Sequence, residues 1–195
     1  MAVEWVVAAG VLVGASALLW GLSAWMTRRI ETTVPINGRF VEVDGERFHY
    51  VEEGKGPPLV MIHGLMGSSR NLTYALSGQL RERFRVITLD RPGSGYSSRG
   101  AHTAADLPAQ ARQIAAFIKT LDLDKPLVLG HSLGGAIALA LALDHPHAVS
   151  GLVLVAPLTH PQRLLPLVFL SLAVRPAWLR RWVSHTLTLP VGLLT

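Results

Sequence analysis

The chain has 195 residues, half of them hydrophobic, no cysteine and a formal net charge of +5. That length suits one globular domain plus a lipophilic addition, and the missing thiols exclude disulfides, thiolate zinc sites and cysteine nucleophiles while leaving the redox compartment open. The arginines are scattered among Leu, Val and Trp instead of forming a basic stripe with interleaved aromatics, which argues against a nucleic-acid partner.

From Trp5 to Met26 the sequence WVVAAGVLVGASALLWGLSAWM carries no charge. As a helix this run extends about 33 Å, enough to cross a hydrocarbon core. Trp5, Trp20 and Trp25 lie towards its ends and Arg28 and Arg29 follow it, the arrangement of residues that sit at headgroup level. Residues 1–29 are therefore expected to be a single-pass membrane anchor. A cleaved signal peptide fits less well, because Glu4 and no Lys or Arg precedes the run. A buried core helix would need protein packed around every side. The Arg pair favours a cytoplasmic soluble domain, a bias that large domains can override.

Residues 30–39, with Pro35 and Asn37-Gly38, form a polar linker, and the soluble domain is expected over 40–160. RFVEVDGERFHYVEEG alternates apolar and polar residues around Asp44-Gly45 and predicts a β-hairpin with its turn there. PPLVMIHG predicts a strand, followed by a helix from about Ser69 to Glu82; FRVITLDRPGSG predicts a strand, followed by a helix from Ala104 to Leu121. KPLVLGHS is a third buried strand, Leu133 to Asp144 its helix, and GLVLVAP a fourth strand. Near-continuous apolar strands alternating with helices predict an α/β fold: a mostly parallel sheet with helices on both faces and function at the carboxyl ends of its strands.

After His160 the pattern becomes helical, cut by Pro161, Pro166, Pro176 and Pro190, and residues 161–195 are expected to begin a helical cap over the sheet. The apolar run Leu164 to Val174 is too short for a second crossing. Contact of this segment with lipid, or with greasy substrates, is the sharper alternative to simple packing.

GHSLG at Gly130 to Gly134 fits G-x-S-x-G and sits between a predicted strand and a predicted helix. A strand that turns at once into a helix strains the corner residue and crowds its neighbours, and glycine removes the crowding. Ser132 is then left with its hydroxyl at the strand ends, where it needs a base to become a nucleophile.

These residues resemble the α/β-hydrolase fold family over about residues 40–160. GHSLGG resembles its nucleophile elbow, HGLMGSS at His63 to Ser69 its oxyanion loop, and DRPGSGYS at Asp90 to Ser97 its D-x-x-G-x-G-x-S turn. The resemblance implies that Ser132 is the nucleophile and that the backbone N–H groups of Leu65 and Leu133 form the oxyanion hole. Gly64, Gly130 and Gly134 support them. It also implies hydrolysis of an ester or a related acyl or carbon–carbon bond in a small, lipophilic, ester-like substrate, with no metal or organic cofactor, and Ser132 argues against the dehalogenase and epoxide hydrolase branches, which use an aspartate there.

The remaining polar residues receive plainer readings. His131 is expected to be a packing residue beside Ser132, and His63 a brace for the oxyanion loop. Asp90 precedes Ser132, whereas the triad order of this fold is Ser, acid, His, so it is assigned to loop structure. Gly93-Ser94-Gly95 lacks the third glycine of a dinucleotide fingerprint, and His145 and His147 lack a nearby acidic partner for a metal.

The base is the difficulty. After Ser132 the only carboxylate is Asp144, which the intervening helix carries about 18 Å away. His145 and His147 share that distance, and His160 and His185 fall in or beside the cap. The expectation is an incomplete hydrolase core, a C-terminally truncated fragment that is inactive or nearly so, with the triad acid and base beyond Thr195. The alternative is a noncatalytic, membrane-anchored binding or scaffold protein that keeps the elbow as architecture.

Overall fold

The computed structural model describes residues 2–33, 35–100 and 103–160. The expected cap over 161–195, with His185, lies outside them. Helix α1 (Ala2–Thr33) contains the stretch Glu4–Arg29, long and apolar enough to cross a membrane. It runs past the expected end at residue 29 because the hydroxyls of Thr32 and Thr33 both donate to the Arg29 carbonyl, tying down the last turn. The Arg29 guanidinium lies 5.2 Å from the centre of the Trp25 ring, a cation held over an aromatic face.

Residues Asn37–Pro161 form a separate compact unit. It opens with the expected hairpin, β1 (Arg39–Val43) and β2 (Glu46–Glu53). Val43 pairs with Glu46, leaving a two-residue turn in which Asp44 and Gly45 both take positive φ (50° and 79°), the backbone that matches strand twist. The other strands are β3 (Pro58–Ile62), β4 (Arg85–Leu89), β5 (Leu127–His131) and β6 (Gly151–Val155), and the sheet order is β1-β2-β4-β3-β5-β6. β2 runs antiparallel to β4, and β4, β3, β5 and β6 are mutually parallel, with Ile62 opposite Leu89 on one side and Gly130 on the other.

Strand alternation divides the core between two faces. Val60 and Ile62 of β3 join Phe48, Ile87 and Val128 under α4 (Leu107–Thr120) and α5 (Leu133–Asp144), through Ile114, Phe117, Ile137 and Leu141. Leu59 and Met61 point the other way, onto Leu72, Val86 and Leu129. Helices thus cover both faces, as a buried parallel sheet requires. Among the described residues β1 and β6 are the edge strands, and Val153, Leu154 and Val155 of β6 are exposed.

Two helices depart from expectation. Residues 69–82 do not form one α-helix: α2 (Ser69–Leu72) passes into a π-helical turn (Thr73–Ser77) and a short α3 (Gly78–Leu80). Here the Thr73 hydroxyl takes the Ser69 carbonyl in competition with the backbone ladder, and the Ser77 hydroxyl donates to the Glu53 carboxylate on β2. α4 starts at Leu107 rather than Ala104 because Asp106 is its N-cap, extended at φ −70° and ψ 167°, with its carboxylate accepting the Ala109 N–H at 2.8 Å. Asp106→Ala should lower the unfolding free energy by about 1 kcal/mol, read as an earlier urea midpoint at unchanged slope.

Candidate active site

β5 passes into α5 through one residue. Ser132 takes φ 54° and ψ −118°, a conformation that a side-chain-bearing residue keeps only when its surroundings impose it. Both of its backbone groups are committed: its N–H donates to the Val155 carbonyl (3.0 Å), and its carbonyl accepts from Leu158 (2.9 Å), Gly135 (3.0 Å) and Ala136 (3.3 Å). The glycines make the corner sterically feasible. A Cβ at Gly130 would lie 2.5 Å from the Gly134 carbonyl oxygen, and one at Gly134 only 2.2 Å from that of Ile62. The half-buried Ser132 side chain is thereby left at the carboxyl ends of the strands.

The loop after β3 closes onto this corner. A Cβ on Gly64 would lie 3.1 Å from the Ser132 Cβ, so the loop backbone abuts the serine. Leu65 follows, 40% exposed. Leu133 is the first residue of α5, where an N–H has no partner inside its own helix. His131, expected to pack, is instead exposed at the end of β5, with Nδ1 beside Gly64.

His63 is fully buried. Its Nδ1–H donates to the Gly64 carbonyl (2.8 Å) and its Nε2 accepts the Arg91 backbone N–H (3.0 Å), which fixes a neutral tautomer. Burial, then the Arg91 charge, pushes its pKa down to about 4 against the weaker opposing pull of the Gly64 carbonyl and Asp90. Asp90 is equally buried: Oδ1 accepts the Ser69 N–H (2.6 Å), and Oδ2 meets the Tyr96 N–H (3.0 Å) and His49 Nδ1 (2.8 Å). A Cβ at Gly95 would overlap this carboxylate, which is why the following turn needs glycine. Among the described residues no three His, Asp or Glu side chains gather as a metal site.

Sequence reasoning missed three polar anchors. The buried Arg91 donates from Nη2 to the Gly64 carbonyl (3.0 Å) and from Nη1 to Gln110 Oε1 (2.9 Å) on α4. His49 bridges Asp90 and the Asn37 carbonyl. Glu46 accepts from the Gly100 N–H and the Thr103 and Ser98 hydroxyls, which hold its carboxyl below the usual range and fix the loop after β4. For Arg91 the signal was a charged residue in a predicted glycine loop, whereas Glu46 and His49 lie in β2, where strand alternation gave no hint of their loop partners.

The chain belongs to the family described as the alpha/beta hydrolase fold, whose model matches residues 57–195. It is 36% identical over 123 residues to haloalkane dehalogenase 2 of Mycobacterium tuberculosis, a match covering 62% of this chain and 42% of that protein. Among solved structures, a membrane phospholipase A described as a bacterial virulence factor aligns at TM-score 0.62 and 29% identity over 88% of this chain and 55% of its own. An N-acyl homoserine lactone degrading enzyme aligns at TM-score 0.56 and 30% identity over 61% of this chain and 45% of its own. The chain therefore spans about half the length of these relatives or less.

Two outcomes follow from this geometry. Gly134→Ala should cost about 3 kcal/mol or more, because α5 must move off β3, whereas Gly78→Ala, with open space at its Cβ, should be neutral or stabilising by up to about 1 kcal/mol; paired thermal melts decide. His63 binds its proton more weakly in the folded than in the unfolded chain, so the unfolded chain takes up more protons below pH 6.5. This contribution is intact above that pH and is lost as pH falls to about 4, amounting to about 3 kcal/mol. Urea denaturation at pH 4.5, 5.5 and 7 should show stability rising through that window.

Proposed function

We propose that the protein is a membrane-anchored serine hydrolase acting on small, lipophilic ester-like substrates. The observation that carries this is Ser132 at φ 54° on the corner between β5 and α5, abutted by Gly64. In this reading the Ser132 Oγ attacks a carbonyl carbon, and the resulting oxyanion is held by the N–H groups of Leu65 and Leu133. The leaving group departs with a proton, and water then hydrolyses the acyl-enzyme. In another hydrolase, loss of one such donor raises the barrier by about 2.7–4 kcal/mol. His63, Gly64, Gly130, His131 and Gly134 shape the site around the reacting atoms.

The exposed Leu65 and Met66, together with Leu158, whose N–H bonds the Ser132 carbonyl, give the surroundings an apolar character that favours lipophilic acyl groups. The aspartate that the family resemblance implies for dehalogenases is a serine here, which favours acyl transfer over dehalogenation. The apolar run within α1, its terminal tryptophans and the Arg29–Trp25 contact support an anchor that keeps the enzyme at a membrane, with the Arg pair favouring a cytoplasmic domain. The base and its acid are assigned to residues outside those described.

One observation favours a second reading. Among the described residues no histidine bonds the Ser132 hydroxyl, and the one buried His–carboxylate pair, His49 with Asp90, is engaged in holding loops. A noncatalytic binding protein would keep the elbow for its packing alone. A fluorophosphonate probe separates the two: the full-length protein should be labelled, and Ser132→Ala should abolish the label. A folded protein that takes no label favours binding.

A further inference from the structure

The peptide between Gly64 and Leu65 is gripped from one side. Its carbonyl accepts from His63 Nδ1 (2.8 Å), Arg91 Nη2 (3.0 Å) and the Gly67 N–H (3.3 Å). A trans peptide is planar, so its C=O and its N–H point in opposite directions. Holding the Gly64 oxygen against this buried cluster therefore turns the Leu65 N–H away from it.

Arg91 is an expensive way to hold a carbonyl. It is only 4% exposed, and among the described residues its side-chain acceptors are neutral, the Gly64 carbonyl and Gln110 Oε1, while its Nε has no acceptor. The neighbouring Asp90 carboxylate is occupied by His49, Ser69 and Tyr96. Burial, with Arg99 nearby, lowers the Arg91 pKa only to about 10, so it stays a cation at neutral pH. A neutral amide could fill the geometric role without the desolvation cost of a charge. What a cation adds is polarisation: a charge-assisted bond to a carbonyl strengthens the N–H of the same peptide as a donor.

We propose that Arg91, fixed by Gln110 on α4, is a positioning residue that orients and polarises the Gly64–Leu65 peptide so that its N–H can receive the anion formed at Ser132. This rests on the serine hydrolase reading for its chemistry, but the grip on the peptide can be measured separately.

The experiment uses the full-length protein in detergent micelles as wild type, Arg91→Met and Arg91→Lys. Fluorophosphonate labelling of Ser132 should slow about 100-fold in Arg91→Met, the scale of losing one oxyanion donor, and recover to within about tenfold in Arg91→Lys, which restores a cationic donor but not the fork. Glycine labelled with 13C at the carbonyl and leucine labelled with 15N report only Gly–Leu pairs, of which residues 1–195 hold Gly21–Leu22, Gly64–Leu65, Gly151–Leu152 and Gly192–Leu193. The Gly64–Leu65 signal is identified by its loss in Leu65→Val. In Arg91→Met its carbonyl resonance should move upfield while the other Gly–Leu signals hold, which also shows that the fold survives. A Gly64 carbonyl that does not move, or an Arg91→Met protein labelled within threefold of wild type, overturns the proposal. A wild type that takes no label while the Gly64 carbonyl does move overturns the hydrolase reading and leaves the grip standing.

Discussion

Backbone-to-backbone contact between the carboxyl ends of β3 and β5 and the first turn of α5 is the constraint on which the core unit depends. No side chain fits there: a Cβ at Gly130 or Gly134 would overlap main-chain carbonyls of α5 and β3. The close approach lets β5 turn into α5 within one residue and holds Ser132 in a conformation that costs about 1–3 kcal/mol elsewhere. That cost is sustained because the N–H and C=O of Ser132 are both bound, to β6 and to the segment after it. Strain at the corner and order in the surrounding sheet are two aspects of the same packing.

A second layer of constraint is polar and lies beneath the loops that follow β3 and β4. These loops are one structure: the Asp90 carboxylate reaches back to the Ser69 N–H, and Arg91 reaches back to the Gly64 carbonyl. His63 closes the circuit, accepting from the backbone of Arg91 through one ring nitrogen and donating to Gly64 through the other. Buried polar groups are as a rule partnered, and here the partnering of Asp90, His63 and the Arg91 Nη atoms fixes the backbone beside Ser132. The apolar side chains of that loop, Leu65 and Met66, are left facing outward.

Much of this was legible in the sequence where the signal is local. Asp44-Gly45 announces its turn because both residues tolerate positive φ, and GHSLGG announces its corner because its glycines have no steric alternative there. Signals that depend on competition were harder to read. The helix after Ser69 carries a normal apolar period, yet Thr73–Ser77 is a π-turn in which the Thr73 hydroxyl takes the Ser69 carbonyl and the Ser77 hydroxyl bonds Glu53 across to β2. The start of α4 was set by the Asp106 carboxylate, which outweighs the helix propensity of Ala104 and Ala105. His131 turned out exposed beside Gly64 although strand alternation alone suggested a buried ring.

The sequence by itself determined the alternation of strands and helices, the small residues at the elbow and the apolar length of α1, because each follows from periodicity or sterics within a short stretch of chain. Only the tertiary structure decided which polar side chains hold the loops at the carboxyl ends of the strands. Arg91 and Gly64 are 27 residues apart yet share a hydrogen bond, as do Glu46 and Thr103 at a separation of 57. Such partners are chosen by strand order and register, which place the ends of β3, β4 and β5 side by side, and no local pattern encodes that adjacency.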